Sequence, residues 1–281
     1  LKNRWPNKFK IIEGTVDTLE NQENSVLAIV NDVEYQFNYV IDCRGFPKDL
    51  SKDYKIFDNI PVNHCVVHNI HESGDWEYTG HVAHENGWMW EIPLTHRKSY
   101  GYLFNDKITD VSTAKTDFAK LINVPVDELD NIEYKFTSYY STKVLDGRII
   151  KNGNLAGFYE PISATSIFMY DQLNRLFLNY LSFTIQDEET LNLEYAGVAE
   201  AVRELICYFY HGGSNFDSKF WNYTKEETSK VIDNSKIIEK IKSSFDKCLE
   251  NDVPALADTW FFSPSQLYYL DKQFGYNYFS K

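Results

Sequence analysis

Four short stretches hold side chains whose types and spacing could do chemistry. In GWMWEIPL, Trp88 and Trp90 stand one residue apart and Pro93 follows. Alternate residues of a strand share a face, so the two indoles would form one bulky apolar wall. In GNLAGFYEPISATS, Gly153 and Gly157 lead through Pro161 to Ser163, Thr165 and Ser166. A helix starting there presents unpaired N–H groups and a positive dipole end, which attract a halide, a phosphate or a polarised carbonyl. Ser163 or Thr165 would equally serve as a plain helix cap. In VIDCRGFP, an apolar strand runs into Asp42 and then Gly45. That suits either a nucleotide-binding layer, where glycine lets backbone approach a ligand, or an ordinary turn. In NHCVVHNIH, Cys65, His68 and His71 have a spacing that suggests metal ligands. A strand would not put all three on one face and no fourth ligand is evident, so no metal is assigned. His81, His84 and His96 read as surface or core histidines. The chain has no G-x-S-x-G elbow, no Walker loop and no G-x-G-x-x-G turn.

The elements that must carry these residues can be read from periodicity. KFKIIEGTVDTLE, SVLAIVND and VEYQFNYVIDC predict three strands with polar turns between them. VNHCVVHNI, DWEYTGHVAHE, GWMWEIPL and SYGYLFND predict antiparallel strands of a second sheet. A short helix over STAKTDFAKLINV interrupts them, and IEYKFTSYYSTKV resumes the sheet. A helix is expected from about Ser163 to Thr165 onward, with Ile167, Tyr170, Leu173 and Phe177 at helical spacing. A second carries Leu191, Tyr195, Val198, Val202, Leu205, Ile206 and Phe209 on one face and ends at Gly212-Gly213. A third carries Ile237, Ile238, Ile241, Phe245 and Leu249, and the aromatic tail after it is expected to pack back onto the body. Taken alone, the residues describe a mixed α/β (α+β) protein with a glycine turn ahead of a helix.

Bulk properties exclude some partners. The net charge of −13 repels the phosphates of nucleic acid. No apolar run is long enough to span a membrane, and LKNRWPNKFK lacks the apolar stretch of a signal peptide. Cys43, Cys65, Cys207 and Cys248 have no close pairs and read as reduced thiols of a cytoplasmic protein. The chain opens on Leu1 in the run-up to a strand, which reads as a fragment.

Two of these stretches, with two weaker ones, carry a resemblance. WMWEIP resembles the W-x-W-x-I-P motif of flavin-dependent halogenases. GNLAGFYEPISATSI is similar to their second flavin-contacting segment, VIDCRGF to their D-x-x-G-F strand end, and YHGGSNFDSKFWNY to a helix–turn stretch carrying D-x-x-F-W. The tryptophan motif is the specific one, and order and spacing agree over most of the chain.

The resemblance implies a two-module fold like that of FAD-dependent monooxygenases. Residues 1–60 would be the remainder of the FAD-binding module and 61–150 the mixed or antiparallel substrate sheet. Residues 151–185 would return to the FAD module, and 186–281 would form a helical cap on the substrate. It implies that FADH2, supplied by a flavin reductase, and oxygen convert a halide to hypohalous acid, which then substitutes an electron-rich aromatic ring. Trp88 and Trp90 would stand between flavin and substrate, with Ser163 as a third catalytic position. Thr165 and Ser166 would hold the halide through their N–H groups. Asp42, Gly45, Gly153, Asn154 and Ile162 would approach FAD, and Glu160, Trp260 and Phe261 the substrate.

Three departures qualify this. Relatives that act on free tryptophan place Glu where Ser163 stands, and a hydroxyl does not orient or deprotonate as a carboxylate does, so free tryptophan is not the expected substrate. Ser166 replaces a glycine. The phosphate-binding turn and the essential lysine of the family lie upstream and are not found, so an N-terminal segment, possibly on another chain, would complete the site. A homo-oligomer is compatible with all of this. A monooxygenase of the same fold, or a non-catalytic binding protein, are the alternatives.

Overall fold

The computed structural model describes residues 8–235, Glu239 and Lys272. The first strands are β1 (Val16–Asn21), β2 (Val26–Val30) and β3 (Val33–Phe37), an antiparallel meander. Asn31 and Asp32, both at positive φ (49° and 63°), make the two-residue turn between β2 and β3, a conformation these side chains tolerate. Then come β4 (Val40–Asp42), β5 (Tyr54–Ile56), β6 (His64–Ile70), β7 (Gly80–His84), β8 (Gly87–Pro93) and β9 (Lys98–Phe104). Helix α1 (Val111–Ile122) follows, then β10 (Ile132–Lys135), β11 (Tyr139–Ser141), β12 (Leu145–Asp146), β13 (Ile149–Lys151) and β14 (Gly157–Phe158). The described part closes with α2 (Thr165–Leu181), α3 (Glu188–Gly212) and α4 (Lys219–Ile232).

The largest sheet has five antiparallel strands in the order β10-β6-β9-β8-β7. Its two faces bury different partners. Met89, Tyr100, Tyr102 and Phe104 pack with Phe118 and Ala119 of α1. Trp88, Leu103 and Cys65 face the main core with α2, α3 and α4. Both sides being covered explains why β8 and β9 read as nearly continuous apolar runs rather than strict alternation. Two three-stranded sheets flank it, β14-β11-β5 and β12-β13-β4, and the second contains a parallel pair, β4 with β13.

Several expectations shift. Only Val16–Asn21 of the first run is a strand, because β2 offers no partner residues to the segment before it; Ile11 there is 71% exposed. The run from 132 onward divides between two sheets. Its start pairs with β6, and the backbone changes sheets at Phe136–Ser138, where Phe136 N–H donates to Asn63 and Ser138 accepts from Phe57. Strand β11 therefore pairs with β5 and β14, and β13 with β12 and β4, so sheet pairing crosses position 150. On α2 the buried positions are Thr165, Met169, Leu173 and Phe177; Ile167 is 68% exposed. The expected third C-terminal helix and the aromatic tail lie outside the described residues. No helix among the described residues is long and apolar enough to cross a membrane.

A candidate active site between two cavities

Strand β8 sets Trp88 and Trp90 on the same face of the five-stranded sheet, and β9 makes room for the second. Trp90 stands opposite Gly101, where an added Cβ would meet the indole Cε2 at 2.2 Å. Trp88 is buried and its indole N–H donates to the Tyr210 hydroxyl at 2.6 Å, while His81 of β7 packs on its ring at 5.5 Å. The Trp90 N–H is shielded from solvent and finds no hydrogen-bond partner among the described residues.

The two tryptophans line different spaces. One cavity, of about 350 Å³, is bounded by His81, Val82, Ala83, Trp88, Ile162, Ser163, Phe209, Tyr210, Gly213 and Trp221. The other, of about 690 Å³, is bounded by Phe46, Pro47, Leu50, Cys65, Val67, Trp90, Tyr134, Lys135, Phe136, Thr137, Tyr139, Phe158 and Pro161. Residues of the same two segments thus border different cavities: Trp88 with Ile162 and Ser163 the smaller, Trp90 with Pro161 the larger. Together they build a wall.

The turn in that wall holds three non-glycine residues at positive φ: Glu160 (122°), Ser163 (51°) and Ala164 (56°). Each such residue costs on the order of 1–3 kcal/mol, and strain of this kind concentrates at functional sites. Several contacts fix it. Glu160, 1% exposed, accepts from Tyr210 Oη at 2.9 Å and from the Ile162 N–H at 2.9 Å, and its carbonyl accepts from the Thr165 hydroxyl at 3.2 Å. Burial pushes the Glu160 carboxyl up to about 8, against the opposing pull of those two hydrogen bonds to the carboxylate.

A stability consequence follows from that shift. The native protein holds the Glu160 proton to higher pH than the unfolded chain, whose carboxyl keeps its ordinary value near 4.5. The contribution is fully present below that ordinary value and is lost as pH rises through about 8, at up to roughly 1.4 kcal/mol per pH unit. Denaturant titrations at a series of pH values should therefore show the native protein losing stability relative to Glu160→Gln across this window. Parallel curves for the two proteins would contradict the assignment.

A second cluster forms where two parallel strands end. Asp42 ends β4 and Lys151 ends β13 in register with it, and the Asn152 N–H donates to the Asp42 carbonyl at 2.9 Å. Gly153, at φ 60°, comes next, and a Cβ there would lie 4.0 Å from that of Cys43. Gly45, at φ 82°, has open space where a Cβ would stand. Asn154 is anchored through its carbonyl by Tyr139 at 2.7 Å and through its side chain by Tyr170 at 2.5 Å. Four of the expected cofactor positions, Asp42, Gly45, Gly153 and Asn154, are thus carried by two adjoining strand ends. The fifth, Ile162, lies instead in the wall, on the smaller cavity.

Other expectations need correction. Arg44 takes both oxygens of Asp42 at 2.9 Å, so that carboxylate is already engaged and the guanidinium is the group presented beside Gly45. The Thr165 N–H is turned back onto the Ile162 carbonyl, which removes it as a halide donor. Neither Ser163 nor Thr165 caps α2; Ala164 occupies that position without a side-chain bond, whereas Asp110, Asp187 and Ser218 cap the other three helices. Glu160 is not among the residues lining either cavity and reaches the smaller one through Tyr210 and Ile162, which are. Trp260 and Phe261 lie outside the described residues. Among the described residues, no three His, Cys, Asp or Glu side chains converge as a metal-ligand set.

Sequence reasoning passed over Tyr210, His81 and Trp221. Trp221 belongs to the FDSKFWNY stretch and is fixed by donating its N–H to the His84 carbonyl at 2.7 Å. Tyr210 is one more buried aromatic on a largely apolar helix, and nothing local distinguishes it.

Known proteins resemble this chain in sequence and in fold. A family model described as tryptophan halogenase matches residues 7–266. The tryptophan 6-halogenase ThaL of Streptomyces albogriseolus is 23% identical over 204 residues, covering 68% of this chain and 38% of that protein. The tryptophan 7-halogenase RebH of Lentzea aerocolonigenes is 20% identical over 231 residues, covering 76% and 44%. The chain therefore spans less than half the length of these curated relatives. Among solved structures, a tryptophan halogenase from Shewanella frigidimarina superimposes with a TM-score of 0.75 at 16% identity, covering 94% of this chain and 53% of that one. BrvH, a flavin-dependent halogenase from Brevundimonas sp. BAL3, gives 0.71 at 19%, covering 94% and 55%. At these identities the structures speak for the fold.

Proposed function

The chain belongs to the tryptophan halogenase family, and from that premise we propose that it forms the substrate side, and part of the flavin side, of a flavin-dependent halogenase. The observation that carries this reading is the wall of Trp88, Trp90 and Pro161–Ser163 between two cavities. The larger cavity, walled by Phe46, Phe136, Phe158 and Trp90, suits a flat tricyclic ring, and the strand ends at Gly45 and Gly153 leave backbone open to a ligand. Those features fit reduced FAD. When bound, it would give two electrons to O2 and the halide would give two more, so that one oxygen atom leaves as water and the other ends in hypohalous acid. In this reading Arg44 offers a cation to a phosphate, and the Trp90 N–H offers a donor to a ring carbonyl. The Ser166 N–H, in the first turn of α2, is the halide donor in place of Thr165. The edge strand β4, with Ile41 half exposed, is where a further strand carrying a phosphate-binding turn would add. A flavin reductase provides the reduced cofactor. The thiols of Cys43, Cys65 and Cys207 are free, which suits the cytoplasm.

The smaller cavity is the substrate chamber in this reading. Its volume of about 350 Å³ is at the small end of ligand sites. Its walls carry no carboxylate, lysine or arginine, and burial lowers the His81 imidazole, which leaves it neutral at neutral pH. A zwitterion entering would lose its hydration without gaining an ionic partner. The substrate is therefore a neutral, electron-rich ring rather than free tryptophan. Turnover with reduced FAD, oxygen and bromide tests this on the complete enzyme: kcat/KM should be at least about tenfold higher for a neutral indole or phenol than for tryptophan, a gap of roughly 1.4 kcal/mol. Equal values, or a preference for tryptophan, would refute the substrate class.

A further inference from the structure

One hydrogen-bonded chain is not used by the proposed chemistry. The Trp88 N–H donates to Tyr210 Oη at 2.6 Å, Tyr210 Oη donates to Glu160 Oε2 at 2.9 Å, and Glu160 Oε1 accepts from the Ile162 N–H at 2.9 Å. Trp88, Tyr210 and Glu160 are all buried. Among the described residues, the titratable groups that face Glu160 are Tyr210 and Cys207 from α3 and Cys65 from β6, none of them a cation.

A phenol hydroxyl has a single proton to donate, and its oxygen also accepts. With Glu160 ionised, Tyr210 must spend its only proton on the carboxylate, and it accepts from Trp88. With Glu160 protonated, the carboxyl O–H can donate to the Tyr210 oxygen. The phenol then keeps its bond from Trp88 and its own proton is released. Tyr210 is among the residues lining the smaller cavity, so that space is where a freed O–H would find a new acceptor.

We propose that Glu160 decides whether Tyr210 offers a hydrogen-bond donor to the smaller cavity, which makes Tyr210 a specificity-determining residue for flat neutral ligands bearing an acceptor oxygen. Protonation of Glu160 turns the donor on and ionisation turns it off, while Trp88 is braced in both states. Within the proposed function this narrows the substrate to oxygen-bearing rings of the phenol or aryl ether class, and it rests on that reading only in taking the smaller cavity as the ligand chamber. Because burial raises the Glu160 carboxyl to about 8, the donor is on at neutral pH.

Two measurements on the full chain test this without flavin or halide. In the first, the affinity of 2-methoxynaphthalene, which has an acceptor oxygen and does not titrate, is compared with that of 2-ethylnaphthalene. The methoxy compound should bind roughly three- to tenfold more weakly at pH 9.5 than at pH 6.5, the span expected for one lost hydrogen bond, while the ethyl compound is unchanged. Glu160→Gln, whose amide donates to Tyr210 at every pH, should bind the methoxy compound tightly at both values. Tyr210→Phe should bind it weakly at both. In the second, the indole N–H resonance of Trp88, assigned by its loss in Trp88→Phe, should shift with pH in the unmutated chain with a midpoint near that of Glu160. That titration needs no variant of the pair. Equal pH dependence for the two ligands, a titration that persists in Glu160→Gln, or a Trp88 resonance that does not move would overturn the proposal. Failure of halogenation with these signatures intact would instead count against the proposed reaction.

Discussion

Trp88→Ala in the complete enzyme lowers halogenated product per flavin oxidised by about tenfold or more, a loss of roughly 1.4 kcal/mol in partitioning, while flavin oxidation continues. Trp88 bounds the 350 Å³ cavity, and its strand neighbour Trp90 bounds the 690 Å³ one. Truncation removes the indole, its bond to Tyr210 and its packing against His81, so water and substrate gain a direct route between the two spaces. Oxidant is then lost to solvent instead of meeting a positioned ring. Trp88→Phe loses the N–H and one of the two fused rings but keeps an aromatic ring in place, and should fall between the unmutated protein and Trp88→Ala. Product and flavin turnover measured in the same reaction decide the matter; an unchanged ratio in Trp88→Ala would mean that the wall does not partition the chemistry.

Gly101→Ala destabilises the protein by about 1–3 kcal/mol, the usual cost of forcing an extra group into a packed interior. The cause is specific. A methyl group at Gly101 would sit 2.2 Å from Cε2, 2.3 Å from Cζ2 and 2.5 Å from Nε1 of Trp90, so the indole must leave its place in the wall. Trp90→Ala should remove the conflict. In that background Gly101→Ala should cost no more than about 0.5 kcal/mol, a non-additivity expected only of residues in contact. Denaturant unfolding of the four proteins measures it. Equal costs in both backgrounds would show that Gly101 is needed for some other reason.

Much of the site was legible because it is local. The strand-length apolar run of GWMWEIP marked β8, and the two-residue repeat of a strand placed both indoles on one face. The glycines after β4 and β13 marked strand ends that a parallel pairing brings together. What escaped the sequence depends on distant partners or on rare backbone. Tyr210 meets Trp88 from 122 residues away, on a helix face that reads as core. The separation of Trp88 and Trp90 into two cavities needs the wall segment at 161–163 and helices α3 and α4, which no strand periodicity encodes. Ser163 and Ala164 adopt a left-handed backbone that side chains disfavour, so the sequence indicated a helix start with a free Thr165 N–H where the chain instead folds that donor inward. The sheet change at Phe136–Ser138 is equally silent, since a two-residue period runs through it unbroken.

The central claim is that the wall keeps the oxidant's source apart from the ring it attacks, so that halogen and not oxygen is transferred. The measurement that bears on it most directly is the mass of the product formed by the complete enzyme from a phenol, bromide, reduced FAD and 18O2. The account predicts a ring product carrying the bromine isotope doublet and no 18O. A hydroxylated product carrying 18O would contradict it.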